Sequence, residues 1–154
     1  MAKVLVSACL LGCKVRYDGN SLAVGSEDFE RFIAANEIVP FCPEVAAGLP
    51  TPRAAAEIQG GSGADVLCGA AKVIGKDGTD MSAAFIKGAE LALALCQQQG
   101  IGKAVMAEAS PSCGSGLIYS GQFDGTKVAG QGVVCALLAK HGIKVVSQHH
   151  ADEV

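Results

Sequence analysis

The chain has 154 residues, of which 50% are hydrophobic, and a formal net charge of −3. This length and apolar content are typical of one compact domain with a sizeable core, here spanning residues 1–154. The slightly acidic balance offers no basic surface for long nucleic acid. No apolar run reaches the roughly 18–20 residues needed to cross a bilayer. MAKVLVSACLLGC superficially resembles an export signal cleaved before Cys13, but its apolar stretch is short and follows no strong basic region. We therefore expect a cytoplasmic protein that does not engage a membrane.

The first half of the chain begins with a predicted strand and alternates strand with helix. The apolar run KVLVSA (3–8) is typical of a strand buried on both faces. SEDFERFIAAN then predicts a helix with Ser26 as its N-cap and acidic residues in its first turn. EIVPFC (37–42) predicts a second buried strand. Segment 64–80 is less regular, and its KDG triplet predicts a turn within a hairpin.

The second half repeats this alternation. DMSAAFIKGAELALALCQQQG predicts a long helix that stops at Gly100, and KAVMAEA (103–109) predicts a third strand. GVVCALLAKHG predicts a helix ending at Gly142, before a fourth strand at IKVVS (143–147). Residues 148–154 are expected to form a solvated tail. Together the elements predict an α/β fold, a three-layer sandwich with a mostly parallel, Rossmann-like sheet.

Three cysteines lie where predicted strands end. The chain contains seven cysteines, and their odd number and irregular spacing argue against a disulfide framework. Cys9, Cys42 and Cys113 each lie at or just beyond the carboxyl end of a predicted strand. In open parallel sheets those ends share the edge at which ligands bind. Three thiols far apart in the sequence are therefore expected to converge.

The remaining four cysteines have different surroundings. Cys96 and Cys135 fall inside predicted helices, and Cys68 closes an apolar DVLC segment. We interpret these three as core residues, since free cysteine often acts as a small buried apolar side chain. Cys13 shares a loop with Cys9 and either joins the same site or faces solvent.

Polar side chains accompany the three strand-end cysteines. Singly, each is consistent with loop hydrogen bonding or surface charge, but a carboxylate or hydroxyl beside every one of the three cysteines indicates a site. SPSCGSG also supplies backbone amides able to form an anion-binding concavity. The expected substrate contacts are Arg16, Tyr17, Arg53 and Ser112, and the candidates for acid–base chemistry are Asp18, Glu44 and Ser110.

Three thiolates without a nearby histidine suit iron–sulfur or zinc chemistry better than magnesium or calcium. The chain has no C-x-x-C pair, which weakens the case for a structural zinc site. It also lacks a ferredoxin-type cysteine run, so a simple electron carrier is not expected. If three thiolates held a cubane cluster, one iron would lack a protein ligand and act as an open Lewis acid that favours sulfur.

Four ordered segments resemble the signatures of the thiouracil desulfidase family. They are SACLLG with RYDG, CPEVAAGLPTPRAAAEI, GTDMSAAFIKGA and SPSCGSGLIYSGQFDG, and the resemblance runs from about residue 4 to residue 147. It implies a 4Fe-4S cluster held by three cysteines, whose fourth iron takes the sulfur of a small thiolated pyrimidine. A water-derived oxygen then replaces that sulfur, so that 2-thiouracil, 4-thiouracil or thiouridine gives uracil or uridine and hydrosulfide.

The resemblance also implies roles for individual residues. By motif, the cluster ligands are Cys9, Cys42 and Cys113, while Glu44 and Ser110 match polar positions associated with turnover. Cys13 is not at a position expected for a ligand.

Two alternatives stay open from the residues alone. The first is a sulfurtransferase that carries a persulfide on Cys113 or Cys9, which needs a thiolate of lowered pKa but no metal. The second is a non-catalytic zinc or nucleotide-binding module on the same sheet edge. Colour separates them, because only the cluster protein is expected to be brown.

Overall fold

A computed structural model of the chain describes residues 2–13, 17–19 and 26–153. Its strands and helices are, in chain order, β1 (Lys3–Ser7), α1 (Glu27–Ala35), β2 (Glu37–Phe41), α2 (Pro43–Ala46), β3 (Ala56–Gln59), α3 (Gly63–Leu67), β4 (Lys72–Gly75), α4 (Ser82–Gln99), β5 (Lys103–Met106), β6 (Leu117–Tyr119), β7 (Lys127–Ala129), α5 (Val133–Lys140) and β8 (Lys144–Ser147). Short 3-10 segments at Ala8–Leu11 and Gln148–Glu153 follow β1 and β8.

The four predicted strands form one parallel sheet in the order β2-β1-β5-β8. β1 lies inside this sheet, where Val4, Leu5 and Val6 are fully buried, and β5 beside it is buried from Ala104 to Met106. Runs without polar alternation are what a strand covered on both faces requires. The α/β fold with a mostly parallel sheet is confirmed. Two antiparallel ribbons, β3–β4 and β6–β7, accompany the sheet.

Local signals set the ends of the predicted helices. Ser26 caps α1 by accepting a hydrogen bond from the Phe29 backbone N–H at 3.2 Å. α4 ends at Gly100, whose φ of +68° favours glycine. α4 packs against α5, and the small side chains Ala89 and Ala92 are fully buried in the core. None of the helices in the described ranges is both long and apolar enough to cross a membrane.

The KDG turn is confirmed: an antiparallel bridge joins Ile74 to Asp80 across it, and the Gly75 N–H donates to the Thr79 carbonyl at 2.8 Å, while β4 also pairs with β3. Two other local expectations were wrong. Cys68 is exposed, because α3 ends at Leu67 and the cysteine is its C-cap. The expected tail is partly in the core: Gln148–Glu153 forms a 3-10 segment against α1, and Ala151 is buried.

Candidate functional site

A cavity of about 240 Å³ opens at the carboxyl edge of the parallel sheet. Its walls include Ser7 and Phe41, the last residues of β1 and β2, and Ala107, which follows β5. The volume is below the roughly 300–1,000 Å³ typical of pockets for drug-sized ligands, so the cavity suits a small molecule.

The three strand-end cysteines all line this cavity. Cys9 lies in the 3-10 turn after β1, which closes through a hydrogen bond from Gly12 N–H to the Cys9 carbonyl at 3.3 Å. Cys42 directly follows β2 and precedes α2, with Pro43 at the first helical position. Cys113 lies in the longer loop between β5 and β6. The convergence expected from the sequence is therefore present.

The Cys113 loop is held by its own serine and by the start of α5. The Ser110 hydroxyl accepts hydrogen bonds from the backbone N–H groups of Ser112 and Cys113, both at 3.2 Å. Val134 N–H donates to the Ser112 carbonyl at 2.9 Å. A Cβ at Gly132 would lie 2.5 Å from the same carbonyl, so this close approach requires glycine.

The carboxylate of Glu108, a residue just after β5, also holds this loop. Glu108 Oε1 accepts hydrogen bonds from the backbone N–H of Ala109 and from those of Ser115, Gly116 and Leu117, at 3.1 to 3.2 Å. Burial acts to raise the pKa of Glu108, but these donors hold it below its usual value. The loop that presents Cys113 is thus tied at both ends.

Glu44 connects the Cys42 loop to the Cys113 loop. Its side chain is only 8% exposed, and its Oε1 accepts a hydrogen bond from the Ser112 hydroxyl. Its Oε2 accepts one from the Cys42 thiol at 3.5 Å, while Ser112 Oγ lies 3.3 Å from Cys113 Sγ. The buried Glu44 carboxylate therefore contacts the Cys42 thiol directly and reaches Cys113 through the Ser112 hydroxyl.

Burial controls the ionisation of these thiols. It raises the pKa of Cys42 to about 11, with the Glu44 carboxylate adding to the effect and Arg53 opposing it. Burial and then Glu44 also raise the pKa of Cys113 well above its usual range. A persulfide-carrying nucleophile needs the opposite surroundings, since reactive thiols have lowered pKa values.

Most of the predicted site residues lie around the cavity. Besides the three cysteines, the lining includes Glu44, Ser110, Tyr17 and Arg53. The Arg53 backbone N–H also bonds the Tyr17 carbonyl, which brings the segments of these two residues together.

The other predicted residues have different positions. Ser112 is fully buried and does not line the cavity, so its hydroxyl contacts Glu44 rather than the cavity space. Asp18 is exposed and outside the lining, and its acid–base role stays a prediction. Arg16 lies outside the described residues. Cys13 is exposed, whereas Cys96 and Cys135 are buried as predicted.

The lining residues that the sequence analysis did not identify include Glu57, Glu108 and Tyr119. Glu108 interrupts the apolar run of a predicted strand just where that strand should end, and this signal could have identified it. Glu57 follows three alanines and precedes an isoleucine, so the sequence marks it only as a lone carboxylate among small apolar residues. The Nζ atom of Lys127 lies over the ring of Tyr119, 5.6 Å from the ring centroid.

Three cysteine thiols on one cavity are a donor set of the kind that iron–sulfur clusters use. Within the described ranges, no three His, Cys, Asp or Glu side chains converge closely enough to hold one metal ion. A 4Fe-4S cluster instead takes each thiolate on a different iron, so its cysteines are spaced around a cavity. Cys9, Cys42 and Cys113 all line one cavity.

Comparison with known proteins adds a family and two relatives. A family model described as 2-thiouracil desulfurase matches residues 4–150. The protein YbbK of Bacillus subtilis (strain 168), described as uncharacterized, is 40% identical over 151 residues, covering 98% of this chain and 99% of its own. A solved structure named [4Fe-4S]-dependent thiouracil desulfidase TudS is 48% identical with a TM-score of 0.88, covering 99% of this chain and 95% of its own.

Proposed function

The chain belongs to the 2-thiouracil desulfurase family, and from this premise we propose that it is a 4Fe-4S-dependent desulfidase of small thiolated pyrimidines. The reaction combines a thiopyrimidine such as 2-thiouracil or 4-thiouracil with water and gives the oxo-pyrimidine and hydrosulfide. The observation that carries the proposal is the convergence of three strand-end cysteines on one small cavity that is also lined by Glu44.

Cys9, Cys42 and Cys113 would hold the cluster. When bound, such a cluster supplies a Lewis-acidic iron, with no protein ligand, that can accept the substrate sulfur. The thiols of Cys42 and Cys113 would bind the cluster as thiolates, and metal binding would drive the deprotonation that burial opposes. The TudS structure, 48% identical to this chain, supports the same cofactor.

Glu44 would act as the acid–base residue. Its carboxylate lines the cavity and is oriented by the Ser112 hydroxyl from the neighbouring loop. From there it can take a proton from the attacking water at the thiocarbonyl carbon and return one to the leaving sulfur or the ring. A positioned carboxylate of this kind typically contributes about 10²–10⁴-fold in rate.

Other lining side chains would bind the pyrimidine. Tyr17 and Tyr119 present aromatic surface, on which a planar base can stack. Arg53 lines the same cavity and offers donors for a ring carbonyl oxygen. Ser110 lines it as well, although its oxygen already accepts two backbone hydrogen bonds and chiefly shapes the Cys113 loop.

A turnover experiment tests the proposal. The protein is purified without oxygen, given 2-thiouracil in water enriched in ¹⁸O, and analysed for hydrosulfide and for label in the uracil. We expect equal amounts of both products and one labelled oxygen per uracil formed. Undiminished hydrosulfide release by protein stripped of iron would instead rule out a cluster-dependent reaction.

A further inference from the structure

Glu57 is a second buried carboxylate on the proposed substrate cavity, and neither the cysteine ligands nor the acid–base chemistry uses it. It lies on β3, is 8% exposed and lines the same cavity as Glu44. A carboxylate is rarely buried unless it has hydrogen-bond partners or a function.

The two oxygens of Glu57 have different surroundings. Oε1 accepts hydrogen bonds from the backbone N–H of Gly121 at 2.8 Å and of Phe123 at 3.3 Å. The hydrogen bonds from Gly121 and Phe123 both go to Oε1, and neither donor reaches Oε2. Because Glu57 lines the cavity, Oε2 is the oxygen that a ligand there can use.

The loop that holds Oε1 fixes the carboxylate. Gly121 packs so closely on β3 that a Cβ there would lie 2.5 Å from the Ile58 carbonyl oxygen. Gln59 adds a hydrogen bond from its side-chain amide to the Gly121 carbonyl at 3.0 Å. Since both the strand and the loop hold Glu57, the direction of Oε2 is set before any ligand binds, which lowers the entropic cost of binding.

We propose that Glu57 is a substrate-recognition residue, whose Oε2 accepts a hydrogen bond from a ring N–H of the pyrimidine. This inference rests on the proposed function, because thiolated uracils and their oxo products carry two ring N–H donors. An ionised carboxylate accepts such bonds more strongly than a neutral group. Glu57 therefore selects bases with a free N–H at one ring position and orients them toward the cysteine side of the cavity.

The variant Glu57→Gln tests the contact with little change of shape. The amide oxygen of the glutamine should face the N–H groups of Gly121 and Phe123, because the opposite orientation would place its NH₂ donor against these two backbone donors. The amide NH₂ then occupies the Oε2 position and replaces an acceptor with a donor. Gln59→Ala is the matched control, since it loosens the same loop at Gly121 from an exposed position outside the cavity.

The readout is equilibrium binding of uracil, 1-methyluracil and 3-methyluracil to the cluster-loaded protein, measured by calorimetry. For the wild-type chain we expect one of the two methylated bases to bind at least about tenfold more weakly than uracil, as for sites built around a substrate N–H. In Glu57→Gln, we expect uracil to bind roughly tenfold more weakly than it binds the wild-type chain. The methyl penalty, meaning the ratio of the dissociation constants of that methylated base and uracil, should fall to about threefold or less. Gln59→Ala keeps the wild-type penalty.

Three results would overturn the proposal: equal binding of all three bases by the wild-type chain, an unchanged penalty in Glu57→Gln, or the same loss in Gln59→Ala. Equal binding of the three bases by the wild-type chain would overturn the proposal even if Glu57→Gln does not fold. Absence of hydrosulfide release from 2-thiouracil would refute the proposed function, whereas the binding penalties would still report on Glu57.

Discussion

Replacement of Glu44 by Gln separates the proposed proton transfer from the architecture of the site. Glu44 is 8% exposed, and its oxygens accept from the Ser112 hydroxyl and the Cys42 thiol. A glutamine of nearly the same shape can keep the bond from Ser112 through its amide oxygen, so the two loops stay connected. The function that is lost is the acceptance of a proton.

The size of the effect follows from this difference. A positioned general acid–base group contributes about 10²–10⁴-fold, so we expect kcat to fall at least about a hundredfold. The KM for 2-thiouracil should change by no more than about threefold, because proton acceptance acts in the transition state rather than in binding. The visible absorbance of the cluster should not change, since no cysteine is altered.

The assay is steady-state hydrosulfide release under anaerobic conditions, with visible absorbance recorded on the same samples. Glu90→Gln is the matched control, because it makes the same chemical change on the exposed surface of α4. Near-normal kcat in Glu44→Gln, with the cluster retained, would refute the reasoning and transfer the acid–base role to Asp18 or Ser110. A colourless variant would show that Glu44 supports the cluster instead.

Three further variants, one of them with a matched control, test other parts of the site. Gly88→Ala places a Cβ 2.6 Å from the Pro43 carbonyl oxygen, so it should lower the free energy of unfolding by roughly 1–3 kcal/mol and weaken cluster retention. Gly102→Ala, with open space around the new Cβ, should change stability by less than about 0.5 kcal/mol in the same denaturant titration. Ser112→Ala removes the donor to the buried Glu44 and should cost about 1–3 kcal/mol in denaturant titration, with a lower kcat. Because the pKa of Glu108 lies below its usual value of 4.5 in the folded chain, ionised Glu108 stabilises the fold above pH 4.5, and this contribution is lost as the pH falls below that value. Glu108→Gln should therefore flatten the acid limb of a profile of stability against pH. Equal stability of Gly88→Ala and Gly102→Ala, an unchanged kcat in Ser112→Ala, or an unaltered acid limb would contradict the respective assignments.

The sequence alone was enough to predict the parallel sheet and to group the three cysteines at its edge. Strands covered on both faces need continuous apolar runs, and the carboxyl ends of parallel strands share an edge, so Cys9, Cys42 and Cys113 could be grouped without coordinates. Ser110 and Glu44 were found because they lie beside these cysteines. Proximity along the chain was the signal in each case.

The sequence was insufficient where a contact depends on distant elements. Ser112 is buried because the start of α5 packs on its backbone, and nothing in SPSCGSG distinguishes it from Ser110. Glu57 reaches the cavity only because β3 pairs with β4 and supports a loop more than sixty residues later. Cys68 is exposed because α3 is a single short turn, which apolar composition does not reveal.

The central claim is that three thiolates hold a cluster on which desulfuration depends. Its most direct test is the iron and acid-labile sulfide content of anaerobically purified protein, measured beside 2-thiouracil turnover in the wild-type chain, Cys113→Ser and Cys135→Ala. We expect about four irons and four sulfides per chain in the wild-type protein and in Cys135→Ala, and loss of cluster and activity together in Cys113→Ser. A folded but colourless Cys135→Ala, or full activity in protein stripped of iron, would contradict the account.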